Sequence, residues 1–233
     1  PFLEDRFPEN PDPRLWRITV GDLLSMRAGL EPMSGGNYGR WVSSRNWVET
    51  ALAAPFVSEP GEEMLYSSAS THLVSAILTR ASGRSMLDLA LDWLGPVEGF
   101  EILGWDRDPQ GIYFGGNQMS MTTHSLLAFG ELYRRGGRAL DGSCVVSDNW
   151  INAAWTPRTK SPMSGAYYGY CWFLRPLAGV PTHFGWGYGG QMIYVLPSKD
   201  LTIAITSNPL LPSQVTGYRE QLDALAANIV RET

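Results

Sequence analysis

The chain has 233 residues, of which 44% are apolar and 12% aromatic, and its net charge is −5 at pH 7. A chain of this length and composition is expected to fold around a substantial core, in one domain or two joined lobes. The negative charge argues against a nucleic-acid partner, and the absence of any long apolar run argues against a membrane span.

The first half of the chain predicts helices. Residues 1–17 are rich in proline and charge and predict an extended lead-in. Thr19 to Asp22 has the form of a capping box, which predicts a helix that ends at Gly29, and a glycine-rich loop follows at 31–43. Apolar spacing and end signals predict further helices at about 45–54 (capped by Ser44), 69–82, 85–94, 122–135 and 148–155.

From residue 166 onward the pattern is typical of strands. Residues 168–174, 191–196 and 201–206 have strand composition, and the last two form a predicted hairpin. A final helix is predicted from Val215 to Ile229. We therefore expect a mainly helical lobe at 1–112 and a strand-rich α/β lobe at 113–233. A sheet of three strands is thin, which suggests a partner segment outside this chain.

Tyr66, Ser67 and Ser68 stand at the start of a predicted helix, after the Pro60-Gly61 turn. Serines in this place commonly cap free helix N–H groups, worth about 1 kcal/mol each, and this explains them without any chemistry. A phenol at a helix start can also act as a general base. The motif alone favours the structural interpretation.

A second motif is the glycine-rich stretch at 182–190. Gly185, Gly187 and Gly190 formally match G-x-G-x-x-G, but a strand follows them where a dinucleotide site needs a helix. His183 lies two residues before Gly185 at a predicted strand edge, where glycine lets a ligand approach the backbone. We therefore reject the nucleotide site and keep His183 as a candidate.

Other kinds of site find little support. There is no G-x-S-x-G elbow. The three histidines lack metal-ligand spacing, and His72 and His124 lie in helical patterns that predict a packed or surface role. Cys144 and Cys171 predict either two buried thiols or one disulfide. No metal or organic cofactor is implied.

Taken in order, the motifs resemble those of the serine β-lactamase and penicillin-binding protein superfamily, which includes class C β-lactamases, D-alanyl-D-alanine carboxypeptidases, esterases and amide hydrolases. The matching stretches, which extend over nearly the whole chain, are 18–30 (a helix ending in Ser-Gly-Leu), 60–68 (P-G…Y-S/A-N), 115–137 (G-G…S-T…F-G…G-G) and His183-Phe184-Gly185 (the H-x-G form of K-T-G). The resemblance implies an α/β (α+β) fold of the β-lactamase/transpeptidase type. Such a fold has an antiparallel sheet flanked by helices and a mainly helical lobe.

The sequence departs from this family in two places. Members carry Ser-x-x-Lys upstream, but Pro157 and Leu196 stand three residues before the only lysines, Lys160 and Lys199. We therefore expect the nucleophile helix and the N-terminal strands on a segment outside this chain, as a covalent or co-folded partner. Ser68 stands where the family commonly has asparagine, which puts contacts to a substrate amide or to the lysine in question.

The resemblance also implies roles for residues of this chain. Tyr66 would shuttle protons between serine, lysine and leaving group, and Ser68 would complete its motif. His183 would orient the substrate or share protons with Tyr66, and the backbone N–H of Trp186, after Gly185, would form half of the oxyanion hole. Candidate substrate contacts are Trp41, Phe184 and Gly187.

These roles predict a serine-dependent hydrolase that acts through an acyl-enzyme on a small-molecule or peptide-like ester, amide or β-lactam. Two alternatives stay open: a non-catalytic ligand- or peptide-binding homologue, and a hydrolase cut in two after folding. The arginine-rich, lysine-poor composition favours a bacterial origin. Both periplasm and cytoplasm remain open as locations.

Overall fold

The computed structural model describes residues 2–210 and 217–233. Contacts divide the chain into two compact units, one formed by residues up to Asp92 with Gly104–Ser120, the other by Trp93–Leu103 with residues from Met121 onward. Residues 93–103 thus group with the second unit, where the Glu101 N–H donates to Ser125 Oγ at 3.0 Å. The domain boundary after residue 112 stays a prediction.

The first unit is mainly helical. Its elements are α1 (Val20–Leu24), α2 (Tyr38–Val42), α3 (Trp47–Leu52), α4 (Ser68–Ser82), most of α5 (Met86–Leu94), and a short antiparallel pair of β1 (Gly104–Trp105) and β2 (Met119–Ser120). Apolar residues of α1, α2, α3 and α4 pack into one core. The predicted helices at 69–82 and 85–94 are confirmed, and α4 ends at Gly83 in the left-handed conformation, as its glycine suggested.

Helix α1 begins as predicted and ends earlier. Thr19 Oγ1 accepts from the Asp22 N–H at 3.1 Å, and the Asp22 carboxylate accepts from the Thr19 N–H at 2.9 Å, so the capping box is confirmed. The helix ends at Leu24 because Met26 already has a positive φ of 60°. Gly29 instead lets the chain pass close to a neighbouring loop, since a Cβ there would lie 2.5 Å from the carbonyl oxygen of Ser58.

Three local predictions in this unit were wrong. The lead-in is not simply extended: it contains 3-10 turns at Glu4–Arg6 and Pro13–Arg17, and its Leu15 is buried. The expected loop at 31–43 contains α2. The cap of α3 is Asn46 rather than Ser44, because the Asn46 side chain accepts from the Glu49 N–H. Apolar anchors and capping groups, too sparse to form a periodic pattern, decide these segments.

The second unit is a sheet covered by helices. Its elements are β3 (Thr159–Lys160), β4 (Tyr167–Tyr168), β5 (Phe173–Leu177), β6 (Val180–Gly187), β7 (Gln191–Leu196), β8 (Leu201–Ile205), α6 (Thr123–Arg134), α7 (Asp148–Trp155) and α8 (Tyr218–Glu232). The strands lie in chain order and all pair antiparallel. The predicted hairpin of β7 and β8 is confirmed. The predicted Val215 lies outside the described residues.

The sheet is larger than the three strands predicted. Six strands pair within the described residues. The single strand predicted at 168–174 is wrong, because β4 ends at Tyr168 and β5 begins only at Phe173. The strand β3 was missed because its two residues carry no periodic pattern. The long strand β6 was missed because prolines and glycines interrupt its pattern. Cys144 and Cys171 are both exposed thiols that do not bridge, so neither prediction for them is correct.

Candidate active site

The candidate residues form two groups, one in each unit. In the first unit Tyr66 stands two residues before the start of α4, and 39% of its surface is accessible. Ser67 is the residue before the helix and is buried. Its hydroxyl does not cap α4 but accepts from the Met33 N–H at 3.0 Å. The capping prediction is therefore wrong for Ser67, whose hydroxyl instead ties the loop before α2 to the tyrosine motif.

Ser34 is a residue of this group that the sequence reasoning missed. Its Oγ accepts from the Ser68 N–H at 3.0 Å and lies 3.3 Å from Ser68 Oγ. The hydrogen bond from Met33 to Ser67 and the one from Ser68 to Ser34 together hold two consecutive loop residues against two consecutive residues of the motif. We call this pair of hydrogen bonds the clasp. The sequence signal that could have indicated Ser34 was its hydroxyl, which stands directly before Gly35 in a glycine-rich loop.

A second loop packs against the first turn of α4. A Cβ on Gly115 would lie 2.0 Å from the carbonyl oxygen of Thr71, and one on Gly116 would lie 2.5 Å from Thr71 Oγ1. Backbone can approach this closely only because both residues lack a side chain. The Gly-Gly pair therefore allows the loop to lie beside Ser68.

Trp41 does not lie at a surface that a substrate reaches. It is fully buried, its indole N–H donates to the carbonyl oxygen of Trp47 at 2.9 Å, and its ring packs on Trp47, His72 and Phe114. The prediction that Trp41 contacts substrate is corrected on this ground. Its aromatic area forms part of the core of the first unit.

His72 is packed, as predicted, and has a buried partner. Its Nε2 lies 3.0 Å from Asp108 Oδ2, and both side chains are fully buried. Asp108 Oδ1 also accepts from the backbone N–H groups of Gln110 and Ile112. This pair therefore fixes the turn after residue 107 to α4. His124 lies exposed on α6.

In the second unit, His183 lies within β6 rather than at its edge, opposite Leu174 of β5 and Val195 of β7. Its imidazole stacks on the indole of Trp155 with ring centroids 3.8 Å apart and an interplanar angle of 7°. Burial lowers the pKa of His183 to about 4, so the ring is neutral at pH 7. Trp155 is the second residue that the sequence reasoning missed.

Phe184 points to the opposite face of β6 and is buried, with 1% of its surface accessible. It packs between Phe173 and Tyr194, and the Arg175 guanidinium lies over its ring. Asp223 of α8 binds both Tyr194 and Arg175 on this face. The predicted substrate contact at Phe184 is therefore corrected: its ring belongs to the packing beneath α8.

The backbone polar groups of Trp186 face the β5 side of the strand, whereas its indole ring contacts Arg219. The Gly187 carbonyl accepts from the Gly190 N–H in the turn to β7, so the polar groups of Gly187 face β7. Polar groups alternate sides along a strand, so those of Trp186 face β5. The pairing of β5 with β6 ends at Phe184, which leaves the Trp186 N–H beyond the last β5 partner. The Trp186 ring carries the Arg219 guanidinium at 3.8 Å.

Gly185 and Gly187 make room for β7. A Cβ on Gly185 would lie 2.9 Å from Ile193 Cγ2, and one on Gly187 would lie 3.0 Å from Gln191 Cβ. The strand β7 follows the glycines, which confirms that they do not open a helix as a dinucleotide site requires.

The model of the Beta-lactamase family matches residues 3–228. The chain belongs to the Beta-lactamase family. The predicted superfamily and the predicted fold, an antiparallel sheet with flanking helices, are thereby confirmed. No curated protein matches the sequence significantly.

Solved structures of this fold include a Bacillus anthracis protein proposed to be a 6-aminohexanoate-dimer hydrolase (TM-score 0.74, 16% identity, 93% of this chain, 62% of that one). A penicillin-binding protein homologue from Pyrococcus abyssi also matches (TM-score 0.65, 18% identity, 100% and 62%). A third match is a D-stereospecific amidohydrolase from a Streptomyces species (TM-score 0.61, 16% identity, 87% and 71%). The chain spans 62% of the length of the first two proteins.

These comparisons place the chain in a fold family of serine hydrolases that includes amidohydrolases and penicillin-binding protein homologues. In the described part of the chain, no helix combines the length and the apolar character that crossing a membrane requires.

Proposed function

We propose that the complete protein is a serine-dependent hydrolase that opens an ester, amide or β-lactam carbonyl through an acyl-enzyme. The observation that carries this proposal is Tyr66, an exposed phenol beside α4 on a motif that Met33 and Ser34 hold in place, in a chain of the Beta-lactamase family. The nucleophilic serine and its lysine would lie on a segment outside this chain, because neither lysine here follows a serine by three residues.

In this mechanism Tyr66 moves protons. An unperturbed phenol has a pKa of about 10, so it serves as a base at neutral pH only where a nearby cation favours the phenolate or where it relays a proton. The lysine of the outside segment would supply that cation. Tyr66 would take the proton of the attacking serine and pass it to the leaving group, and Ser68 would hold the motif or contact the substrate.

Trp186 would stabilise the charge that develops on the carbonyl oxygen. Its N–H lies beyond the end of the β5 pairing and is therefore suited to donate to a ligand. Removing one such donor typically costs about 10²–10³ in rate. Because Gly185 and Gly187 have no side chains, they would let β6 lie close to β7 beside the Trp186 N–H. His183, on the same strand, would orient the substrate.

The experiment that tests this proposal is labelling of the complete protein with a fluorophosphonate, followed by denaturing mass spectrometry. We expect one adduct, on a serine of a Ser-x-x-Lys segment outside residues 1–233. A single unlabelled species would contradict the proposal. A labelled second polypeptide would mean that the hydrolase is cut in two and held together by folding.

Tyr66→Phe tests the role of the phenol. We expect kcat/KM to fall by at least about 10³ with an unchanged circular dichroism spectrum, because the variant loses the proton carrier and keeps the ring. The matched control is Tyr167→Phe, since Tyr167 is an exposed tyrosine of β4 outside the motif. Turnover near that of the wild type in Tyr66→Phe would refute the assignment.

A second candidate function is a non-catalytic ligand-binding homologue, which Ser68 in the asparagine position favours. Saturable binding of a D-alanyl-D-alanine peptide to the complete protein, without turnover and without fluorophosphonate labelling, would support this alternative. Burst release of product would exclude it.

A further inference from the structure

The stack between Trp155 and His183 joins the last residue of α7 to the middle of β6. The indole is itself held from two other sides, by Tyr133 of α6 with centroids 6.0 Å apart and by the edge of Trp172 at 6.2 Å. An interplanar angle of 7° and a separation of 3.8 Å leave the imidazole little freedom to tilt. The plane of His183 is thus set by Trp155.

The stack also leaves the two nitrogens of His183 in different surroundings. Nδ1 is buried and has no hydrogen-bond partner within the described structure, whereas Nε2 is not among such orphaned atoms. A buried polar group without a partner costs about 1–3 kcal/mol, and among backbone groups orphaned N–H donors are rarer than under-satisfied acceptors. This difference favours the neutral tautomer that carries its proton on Nε2 and leaves Nδ1 as a lone pair.

Neighbouring ionisable groups do not alter this arrangement. Arg175 and Tyr194 flank β6 but lie on the Phe184 side of the sheet. On the Trp155 side, Tyr133 of α6 packs against the Trp155 ring, and burial raises the pKa of its phenol, so it is neutral.

Two further charged side chains belong to α7 and the segment after it. Asp148 stands at the first residue of α7, seven residues before Trp155, and Arg158 lies over the ring of Tyr170. Burial is the cause of the lowered pKa of His183, with no ion pair involved.

We propose that Trp155 is a positioning residue that holds His183, by stacking, as the neutral tautomer with its proton on Nε2, so that His183 donates a hydrogen bond to the substrate. The proposal rests on the proposed function, and it narrows the role of His183 from orienting the substrate or sharing protons to orienting alone. Proton transfer then stays with Tyr66, and the ligand atom that His183 recognises is an acceptor, such as a carbonyl or carboxylate oxygen.

Nuclear magnetic resonance of the complete protein with ¹⁵N-labelled histidine tests the tautomer without any need for activity. The signal that disappears in His183→Gln assigns His183, and His124→Gln assigns His124 in the same way. We expect His183 to show the shifts of the Nε2–H tautomer from pH 8 to below its ordinary pKa of about 6.5. An Nδ1–H pattern, or a titration midpoint near 6.5, would overturn the proposal.

Three variants test the positioning role. In Trp155→Ala we expect kcat to fall by about tenfold to 100-fold, and His183 to titrate nearer its ordinary pKa, which adds an acidic limb to the pH profile. Trp155→Phe keeps a ring on which His183 can stack, so this variant should restore most of the wild-type kcat and most of the lowered pKa of His183. Trp150→Ala, on the same helix and stacked on Tyr170 instead, should leave them unchanged.

The outcomes separate the two proposals. A wild-type protein that fluorophosphonate does not label would end the proposed function, while the nitrogen shifts of wild type and Trp155→Phe would still decide the state of His183. If Trp155→Ala keeps the wild-type His183 shifts and kcat, Trp155 has no positioning role.

Discussion

At the scale of single residues, the pair of His72 and Asp108 shows how a titratable side chain becomes part of a core. Trp41, Trp47 and Phe114 surround the imidazole, and no solvent reaches either partner. Breaking such a pair leaves one polar group buried without its partner, which is more costly than never having built the pair.

Asp108→Ala should therefore lower the free energy of unfolding by about 3–5 kcal/mol, since it orphans His72 Nε2 and two backbone N–H groups. Urea unfolding followed by tryptophan fluorescence measures this change. Asp106→Ala is the matched control, because the Asp106 carboxylate bonds to Gln118 on an exposed surface and should cost less than about 1 kcal/mol. Equal losses in the two variants would contradict the role of the buried pair.

His183 gives stability a dependence on pH with a defined sign. Its folded pKa of about 4 lies below the ordinary value, so between these values the unfolded chain binds a proton that the folded chain does not. Stability should be complete above about pH 6.5 and fall as the pH drops toward 4. We expect urea midpoints of the wild type to fall more steeply across this window than those of His183→Gln. Parallel midpoints in the two proteins would show that the folded ring titrates normally.

At the scale of elements, the packing of α6 on the sheet depends on one glycine. A Cβ on Gly130 would lie 2.6 Å from Thr202 Cγ2 and 2.7 Å from Ile193 Cδ1, on β8 and β7. The F-G of the motif at 115–137 therefore marks a close approach between a helix and a sheet. The sequence shows that a glycine stands inside a helix, and the contact partner explains why.

Gly130→Ala should destabilise the protein by about 1–3 kcal/mol through overpacking, despite the better helix propensity of alanine. Gly39→Ala in α2 is the control of opposite sign, because nothing lies within 4 Å of the added methyl group. There alanine should stabilise by about 0.5–1 kcal/mol. Thermal unfolding of both variants measures the difference, and a stabilised Gly130→Ala would show that α6 does not pack this closely.

Elements were predicted well where periodicity or caps are local. The helix at 148–155 and the capping box of Thr19 and Asp22 needed only neighbours in sequence. Strand β3 could not be predicted, because two residues carry no period and pair only through tertiary structure. For the same reason the pattern at 168–174 did not show that β4 and β5 are separate strands. Ser34 and Trp155 were missed for a related reason: their partners, Ser68 and His183, stand 34 and 28 positions away in the sequence.

At the scale of the whole molecule, the order of motifs along the chain predicted the family better than any single motif did. It could not predict which aromatic side chains face a ligand. Trp41 and Phe184 are aromatic residues of the kind that line clefts. The core of each unit also needs large apolar side chains, however, and both residues are buried. Facing direction depends on packing and strand register, and composition carries neither.

The scarcity of lysine gives a test that applies to the entire chain. Lys160 and Lys199 are both exposed, and both belong to the second unit. The double variant Lys160→Arg, Lys199→Arg should keep kcat within about twofold in the complete protein, because the proposed lysine lies elsewhere. Steady-state kinetics on an ester substrate measures this. A loss above about 100-fold would place the essential amine inside residues 1–233 and contradict the mechanism.

The clasp of Met33 and Ser34 on Ser67 and Ser68 also has a consequence for how this protein can diversify. Just beyond the clasp, Gly35 and Gly36 have open space around the position of a Cβ. Insertions there can lengthen or reshape the outer loop, while the two hydrogen bonds keep the stretch beside Tyr66 in register. In the proposed enzyme, the loop at Gly35 and Gly36 could therefore change in length without moving Tyr66.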